Sequence, residues 1–598
     1  MSLLIQGPKQ PGNEIDVYFS PLTDDLKTLW SPGFVVHDGY MNENFRLRAM
    51  VFCTISDFPA YGNLSGYGTK GSKACPICHD NTCSRWLKYC KKTVYMGHRR
   101  SLPPDHPYRN MGNLFDGYSE YGSLPPPPDG ETGKPKTELM FDMKIRPKLA
   151  PQENSDGKRT YLPAACYTLS KDERTSFCKC LNGVKVPSGY SSNVKRLVSM
   201  KDNKLIGMKS HDCHVLMTQM IPIAIRGILP EHIRYTITKL CLFFNSIHSK
   251  VIDPEALDTL QHDVIVTLCQ LEMYFPPSFF YVMVHLVSHI VYEIKACGPV
   301  FLRYMYPFER YMGILKKYVR NRARLEGSIV EGYASEEILE FCNDYLRGSK
   351  SIGLPERRHR VDCQGLTNRR KSDKFLAIEH NTFESWLKYR VSRSENVDEE
   401  VKWLAYSPSE RVTKYQGYDI NSYTFYTKQQ DAKSTMQNSG VTLIATTTGF
   451  STRSSIAKDS YYGVIEEIVE LDYNAFSIPM LKCKWVENRR GVKVDNFGIT
   501  TVDLSTNGYA SEPFILAKLA TQVFYIEDPS NSRSHVVLHG KRRILGVENV
   551  VNEEEYDQLD ELPPFSTDTQ STIVVADNTI YLRSDHDEGL WIDNPRST

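Results

Sequence analysis

Long hydrophobic runs are scarce in this chain of 598 residues. The best candidate for a membrane span, Phe279 to Ile294, is interrupted by His285, His289 and Glu293 and is short for a bilayer, so a buried helix is expected there. The opening MSLLIQGPKQPGNE lacks a basic stretch followed by an apolar core, and no secretory signal is expected. Net charge is nearly absent too. A formal charge of +1 excludes nucleic-acid binding through overall basicity and leaves only local patches. No internal repeat or lipidation signal is present. The cysteines number fifteen, an odd count scattered through apolar segments. That pattern argues against a disulfide framework and for free thiols in a reducing intracellular compartment.

What is present fits a globular protein: 41% hydrophobic and 24% charged residues. The length predicts two to four domains. The densest chemical signal runs from Cys53 to Arg109. An apolar run, AMVFCTIS, ends on Asp57, as a strand delivering an acid would. A Gly- and Lys-containing turn region leads to Cys75-Pro-Ile-Cys78, and a basic segment then carries His98 and His106. A tight Cys-x2-Cys turn puts two sulfurs on one ion, and two imidazoles complete a tetrahedral zinc set. His98 and His106 are the candidate second pair, with His79, Cys83 and Cys90 as competitors. Two buried cysteines in a loop are the plain alternative.

The expected organisation is multidomain α+β. Residues 1–110 mix short strand-like runs (VYFSPL, GFVVHD, LRAMVFCTIS) with turns, as an α/β domain does. Residues 111–160 contain four consecutive prolines and read as a linker. Residues 161–350 carry apolar positions at helical spacing and read as one helical bundle. Residues 351–435 form a connector, basic at RRHR (357–360) and at 369–371, then rich in Tyr and Ser. From Val441 the period switches to two, which predicts a small β-barrel, SH3-like, over 436–545. Residues 546–598 begin acidic and are expected to form a mobile tail.

Within the helical region, Arg303, Arg310, Lys316, Lys317, Arg320, Arg322 and Arg324 alternate with Tyr304, Tyr306, Tyr311 and Tyr318. Cations contact phosphates and tyrosines stack, so this is the candidate DNA surface; a solvated helix face is the alternative. His285, His289 and Glu293 share one helix face. Histidines hydrogen-bonded inside a bundle are the favoured reading there, with a metal stripe as the sharper one. Trp485, Tyr461, Tyr462 and Tyr525 are expected as core and rim of the β domain.

Long strings of this sequence resemble the transposases of plant CACTA (En/Spm) DNA transposons. IQGPKQPGNEIDVYFSPL and DFPAYGNLSGYGTKGSKACPIC resemble the transposase domain, and FPPSFFYVMVHLVSHIVYE and MYPFERYMGILKKYVRNRARLEGSIVEGY the helical accessory domain. YYGVIEEIVELDY and FILAKLATQVFYIED resemble the C-terminal β domain. The resemblance implies a partial RNase H-like domain, in which three acids would hold two Mg²⁺ or Mn²⁺ ions for attack on a phosphodiester. Asp57 matches the strand-end acid, and Asp38 is a nearby second. His211 and His214 match a histidine motif that positions such a site. Two of the three acids have no counterpart, since a proline-rich stretch stands where a glutamate-bearing segment belongs; Asp116, Glu138 and Asp142 are the nearby carboxylates. The expected function is therefore a catalytically incomplete, nuclear transposase-like protein. It would bind DNA (transposon ends) or other transposase subunits, and no membrane. The alternatives are an active metal-dependent transposase and a domesticated interaction scaffold.

Overall fold

Ile15, Phe19, Leu22, Leu26 and Leu29 recur at helical spacing, and they are the half-covered stripe of the helix Ile15–Trp30. That helix contains VYFSPL, expected as a strand; the 3.6-residue repeat outweighs a short run of Val, Tyr and Phe. In the computed structural model the described residues are 5, 12–39, 41–87, 91–115, 119–120, 146–149, 152–153, 159–190, 193–345, 388, 391–392, 399–406, 408–409, 412–447, 457–473, 476–540 and 581–593. They fall into two compact units. One comprises Met1–Thr168, Leu229–Gly353 and Thr572–Thr598, the other Leu169–Ile228 and Leu354–Ser571. Among the described residues no helix is long and apolar enough to cross a membrane.

In the first unit, Phe34–Asp38 pairs antiparallel with Glu43–Leu47. Pairing stops at Leu47, and Arg48 to Asp57 carries no regular structure. The strand expected to carry Asp57 has no partner among the described residues to take its backbone groups, and Met50, Val51 and Phe52 are exposed. The core lies further on. The helices Glu231–Ile247, Leu257–Tyr274 and Ile290–Cys297 close over Leu87, Val94, Leu102, Tyr108, Leu114 and Phe115. Every residue from Val264 to Tyr274 is buried, so this helix is covered on all sides.

A buried helix end leaves carbonyls without partners. Here the Arg146 guanidinium supplies them, donating to the carbonyls of Glu272 at 2.7 Å, Met273 at 2.5 Å, Tyr274 at 3.3 Å and Phe275 at 3.0 Å. A cation at a helix C-terminus also faces the favourable end of the dipole. Arg146 belongs to the stretch expected as a linker, as do the buried Leu114, Phe115 and Leu149; the four prolines lie outside the described residues. The end of the chain is likewise not all tail. Leu590–Asp593 pairs antiparallel with Arg159–Leu162, which also pairs with Gln152–Glu153.

The second unit is built on a curled antiparallel half-barrel sheet of ten strands. Its long strands, Gly440–Thr447, Ala457–Asp472, Ser477–Val486, Thr521–Asp528 and Asn531–His539, follow the two-residue period. A register shift between Ile465 and Glu467 bends the longest pair, as an extra residue in one strand does. FILAKLATQVFYIED is two strands, Phe514–Leu516 and Thr521–Asp528, separated by a 3-10 turn at Ala517–Leu519. The expected connector contributes strands Val412–Tyr415, Gly417–Ile420 and Tyr423–Tyr426. Trp485, Tyr462 and Tyr525 are buried, and Tyr461 packs its ring 5.3 Å from that of Tyr509.

The single helical bundle expected over 161–350 is divided between the units. Leu181, Val215, Leu216, Met220 and Ile223 share one core with Phe524, Ile526, Val536 and Leu538 of the sheet. A sheet face needs a cover, and these helices supply it. Arg226 sits at the edge of this core, bonded to Asp528 at 2.9 Å and Asp495 at 2.5 Å.

Candidate metal centre

Cys75 and Cys78 lie in the turn that follows Lys73-Ala74, with the Cys78 amide 3.4 Å from the Cys75 sulfur. Such an N–H to sulfur contact is what closes a Cys-x2-Cys knuckle. Against it stand His285 and His289. Val282–Leu286 is an α-helix, Val287–His289 tightens to 3-10 geometry, and Ile290–Cys297 resumes as α. The tightening leaves both imidazoles on the same side, with ring centroids 4.9 Å apart and planes at 78°.

Distances test whether the four fit one ion. The Cys78 sulfur is 3.4 Å from Nε2 of His285 and 3.2 Å from Nε2 of His289. The Cys75 sulfur is 3.6 Å from Nε2 of His289, and the two Nε2 atoms are 3.2 Å apart. All four donor atoms lie within 4.8 Å of one another. A tetrahedral zinc with Zn–S of about 2.3 Å and Zn–N of about 2.0–2.1 Å separates neighbouring donors by roughly 3.3–3.8 Å. The set is compatible with a structural zinc, whose four protein ligands leave no position open for substrate.

The electrostatics agree. The hydrogen bond from Cys78 holds the Cys75 thiol far below its ordinary value, and that same bond, with burial, pushes Cys78 up. Without an ion, two neighbouring thiolates repel and share one proton; a dication removes that conflict. Burial lowers the His285 pKa, which keeps the ring neutral as a ligand must be.

The second donor pair is thus not the one sequence proximity favours. His98 is engaged elsewhere, its Nδ1 2.5 Å from the carboxylate of Glu272. His106 turns back on its own segment and accepts the Tyr108 amide at 3.2 Å. Of the competitors, His79 contacts the Tyr67 hydroxyl, Cys83 is half-buried, and Cys90 lies outside the described residues. Glu293 does not join the cluster; it faces Arg303 at 3.6 Å.

The acids sit apart from this centre. Asp57 is exposed and caps the helix Phe58–Ser65, its carboxylate accepting the Ala60 amide at 2.8 Å. Asp38 closes the turn after its strand, accepting the Met41 amide at 3.2 Å. Among the described residues, the group of three or more Cys, His, Asp and Glu side chains close enough to share an ion is Cys75, Cys78, His285 and His289. Asp116, Glu138 and Asp142 lie outside the described residues.

Three stretches of the chain match known families. Residues 1–133 match a transposase family, tnp2, and residues 247–360 and 469–537 match two domains of unknown function, DUF4218 and DUF4216. The chain is transposase-like. No curated protein and no solved structure matches it. In this transposase-like chain the cysteines of the candidate metal centre come from the tnp2 match and the histidines from DUF4218.

The remaining site residues of the transposase-like chain are distributed as follows. Lys316 and Lys317 end the helix Tyr306–Lys317, and Arg320, Arg322 and Arg324 fill the turn before Leu325–Tyr345; all five are exposed. Arg303 is turned inward, donating to the Gly298 carbonyl at 3.3 Å as well as facing Glu293. The side chain of Arg310 lies outside the described residues. Most of the tyrosines pack rather than project. Tyr304 stacks on His248, and the Tyr318 ring lies where a Cβ on Gly332 would come within 2.6 Å of it. His211 and His214 have rings 6.4 Å apart at the start of Ser210–Val215, in the second unit, whereas Asp57 and Asp38 belong to the first.

Proposed function

We propose that the chain is a transposon-derived protein of the CACTA (En/Spm) type that binds DNA or other transposase subunits in the nucleus and has lost strand cleavage. Residues 1–110 are in this reading the remainder of an RNase H-like domain, and the half-barrel sheet is an SH3-like C-terminal β domain. The observation that carries it is the contrast between two candidate metal sites. The thiolate–imidazole set is closed and converges, which suits a structural Zn²⁺. The carboxylate that matches the family's strand-end acid, Asp57, is engaged in capping a helix. A site for Mg²⁺ or Mn²⁺ needs several oxygen ligands held in place, and Asp57 alone offers one carboxylate. Zinc would be held by Cys75, Cys78, His285 and His289 and would supply folding energy rather than chemistry.

DNA contact is assigned to the exposed cations Lys316, Lys317, Arg320, Arg322 and Arg324. The test is binding of the full chain to a duplex over a salt series. Each phosphate contact contributes about 0.9 to the slope of log affinity against log salt. Replacing Lys316, Lys317 and Arg320 together by Gln is expected to reduce that slope by roughly 2–3. Binding unaffected by salt overturns the DNA reading and favours a protein-interaction scaffold. Nicking of DNA that requires Mg²⁺ or Mn²⁺ and disappears in Asp57→Ala overturns the loss of cleavage.

A further inference from the structure

We propose that Glu272 and His98 are positioning residues for the metal centre: a buried carboxylate–imidazole pair that, through one water, accepts the ring N–H of His285. The proposal rests on the zinc reading above.

Glu272 is 4% exposed, on a helix covered from all sides. One oxygen, Oε1, takes three N–H groups: the Gly97 amide at 2.8 Å, the His98 amide at 3.1 Å and His98 Nδ1 at 2.5 Å. Oε1 already accepts two backbone N–H groups and so accepts from Nδ1 of His98 as well, which makes Nδ1 the protonated nitrogen. In the neutral ring Nε2 is then the acceptor.

Among the described residues that Nε2 is buried and has no protein hydrogen-bond partner, on a residue only 4% exposed. A buried nitrogen without a partner is costly, and an ordered water is the usual remedy. The His98 ring lies 6.2 Å from the ring of His285, centroid to centroid. His285 faces the sulfur through Nε2, which leaves Nδ1–H to be satisfied. Among the described residues it makes no protein hydrogen bond. Two hydrogen bonds of about 2.8 Å through one water join polar atoms up to roughly 5.6 Å apart, which is compatible with that separation of the rings. Metal-bound imidazoles regularly hand their second N–H to an acceptor of this kind, which fixes the ring and strengthens it as a donor. The chain Glu272–His98–water–His285 provides one from residues far apart in sequence.

The test uses the full-length protein, loaded with zinc for affinity by competition with a chromophoric chelator, and with cobalt(II) for its visible absorption. His98→Asn keeps an N–H near the position of Nδ1 for Glu272 and deletes Nε2. It is expected to weaken zinc roughly 10–100-fold and to shift the cobalt bands, whereas a purely structural role leaves the bands in place. Glu272→Gln is expected to act in the same direction. Wild-type affinity with an unshifted cobalt spectrum in His98→Asn overturns the proposal. A folding failure in both variants does not leave it untested, because the unsubstituted protein gives a third readout. With 15N-histidine labelling, the Nε2 signal of His98 is expected to move when zinc is added to the metal-free protein, and a stationary signal overturns the proposal. Failure of the wild-type protein to bind zinc at all is a separate outcome, and it removes the underlying metal reading.

Discussion

Residues 12–61 and 74–115 belong to the same unit and the same family match, yet they are held differently. Among the described residues, none from 12 to 61 is buried. Val17, Trp30, Val35, Met50 and Phe52 are each more than half exposed. From 74 to 115, Ala74, Cys75, Leu87, Val94, Leu102, Tyr108 and Phe115 are all buried. Composition does not separate the two, since both are rich in apolar and aromatic side chains. What separates them is cover. The later segment lies against helices from more than a hundred residues downstream, and the Cys75/Cys78 knuckle faces histidines on one of them. Burial is a property of the partner as much as of the sequence. The tie between knuckle and helix is therefore the place to break the contrast.

The largest expected effect comes from Cys78→Ser. Structural zinc contributes apparent binding free energies of about 10–16 kcal/mol in small domains. Loss of one thiolate should take the metal content measured by mass spectrometry from one zinc per chain toward none. Amide exchange should accelerate across 74–115 and remain as it was across 12–61. Retention of full zinc content by Cys78→Ser would falsify the four-ligand centre.

How much of this was legible in advance follows from distance along the chain. The knuckle is local, and Cys75-x2-Cys78 announces it. Its other half stands 207 positions away at His285, and proximity pointed instead to His98 and His106. The available signal is the His-x3-His spacing itself, which places both rings on one helix face but is commoner among hydrogen-bonded histidines inside a bundle. Period two from Val441 onward revealed the long strands, because alternation is written into each strand separately. The strands between Val412 and Tyr426 are hidden in the sequence, because Tyr and Ser look like connector until a sheet accepts them. Arg146 could not be foreseen at all. A lone arginine beside a proline-rich stretch gives no hint that the end of a helix more than a hundred residues later needs its donors.

The second effect concerns the buried acid beneath the covered segment. Glu272→Ala leaves three N–H groups without their acceptor and is expected to cost about 3–5 kcal/mol, read from denaturant midpoints. The pH dependence has a definite sign. The folded pKa of Glu272 lies below its unfolded value, so its contribution is fully present above the ordinary carboxylate range, about 4.3. It is lost as pH falls through that range toward the folded pKa. Because acid also protonates the thiolates, the quantity to compare is the difference between wild type and Glu272→Gln. That difference should shrink below pH 4 or so; a pH-independent difference rejects the linkage.

Arg146→Met comes next, at roughly 2–3 kcal/mol, since it removes the donors from four carbonyls while keeping an apolar stem. Part of the loss is offset, because burial already disfavours the charged guanidinium and lowers its pKa. A midpoint within error of wild type would mean that water serves those carbonyls equally well. The comparison would then owe less to side-chain capping than the distances imply.

The smallest effect belongs to the uncovered segment and is the one that discriminates. Among the described residues the Asp57 side chain makes one hydrogen bond, the cap to Ala60 at the start of Phe58–Ser65. Asp57→Ala is expected to cost about 1 kcal/mol, the usual worth of such a cap. Asp57→Asn should cost almost nothing, because asparagine caps as well as aspartate does. Zinc content should be unchanged in both, since Asp57 lies outside the ligand set. The two substitutions diverge if the carboxylate has chemistry to perform. Asparagine preserves the cap and removes the charge that a divalent ion needs. Mg²⁺-dependent DNA nicking abolished equally by Asp57→Ala and Asp57→Asn is therefore lost with the charge and not with the helix. Equal stability of wild type and Asp57→Asn, together with a lower midpoint in Asp57→Ala and no nicking in any of the three, would leave capping as the sufficient account of this acid.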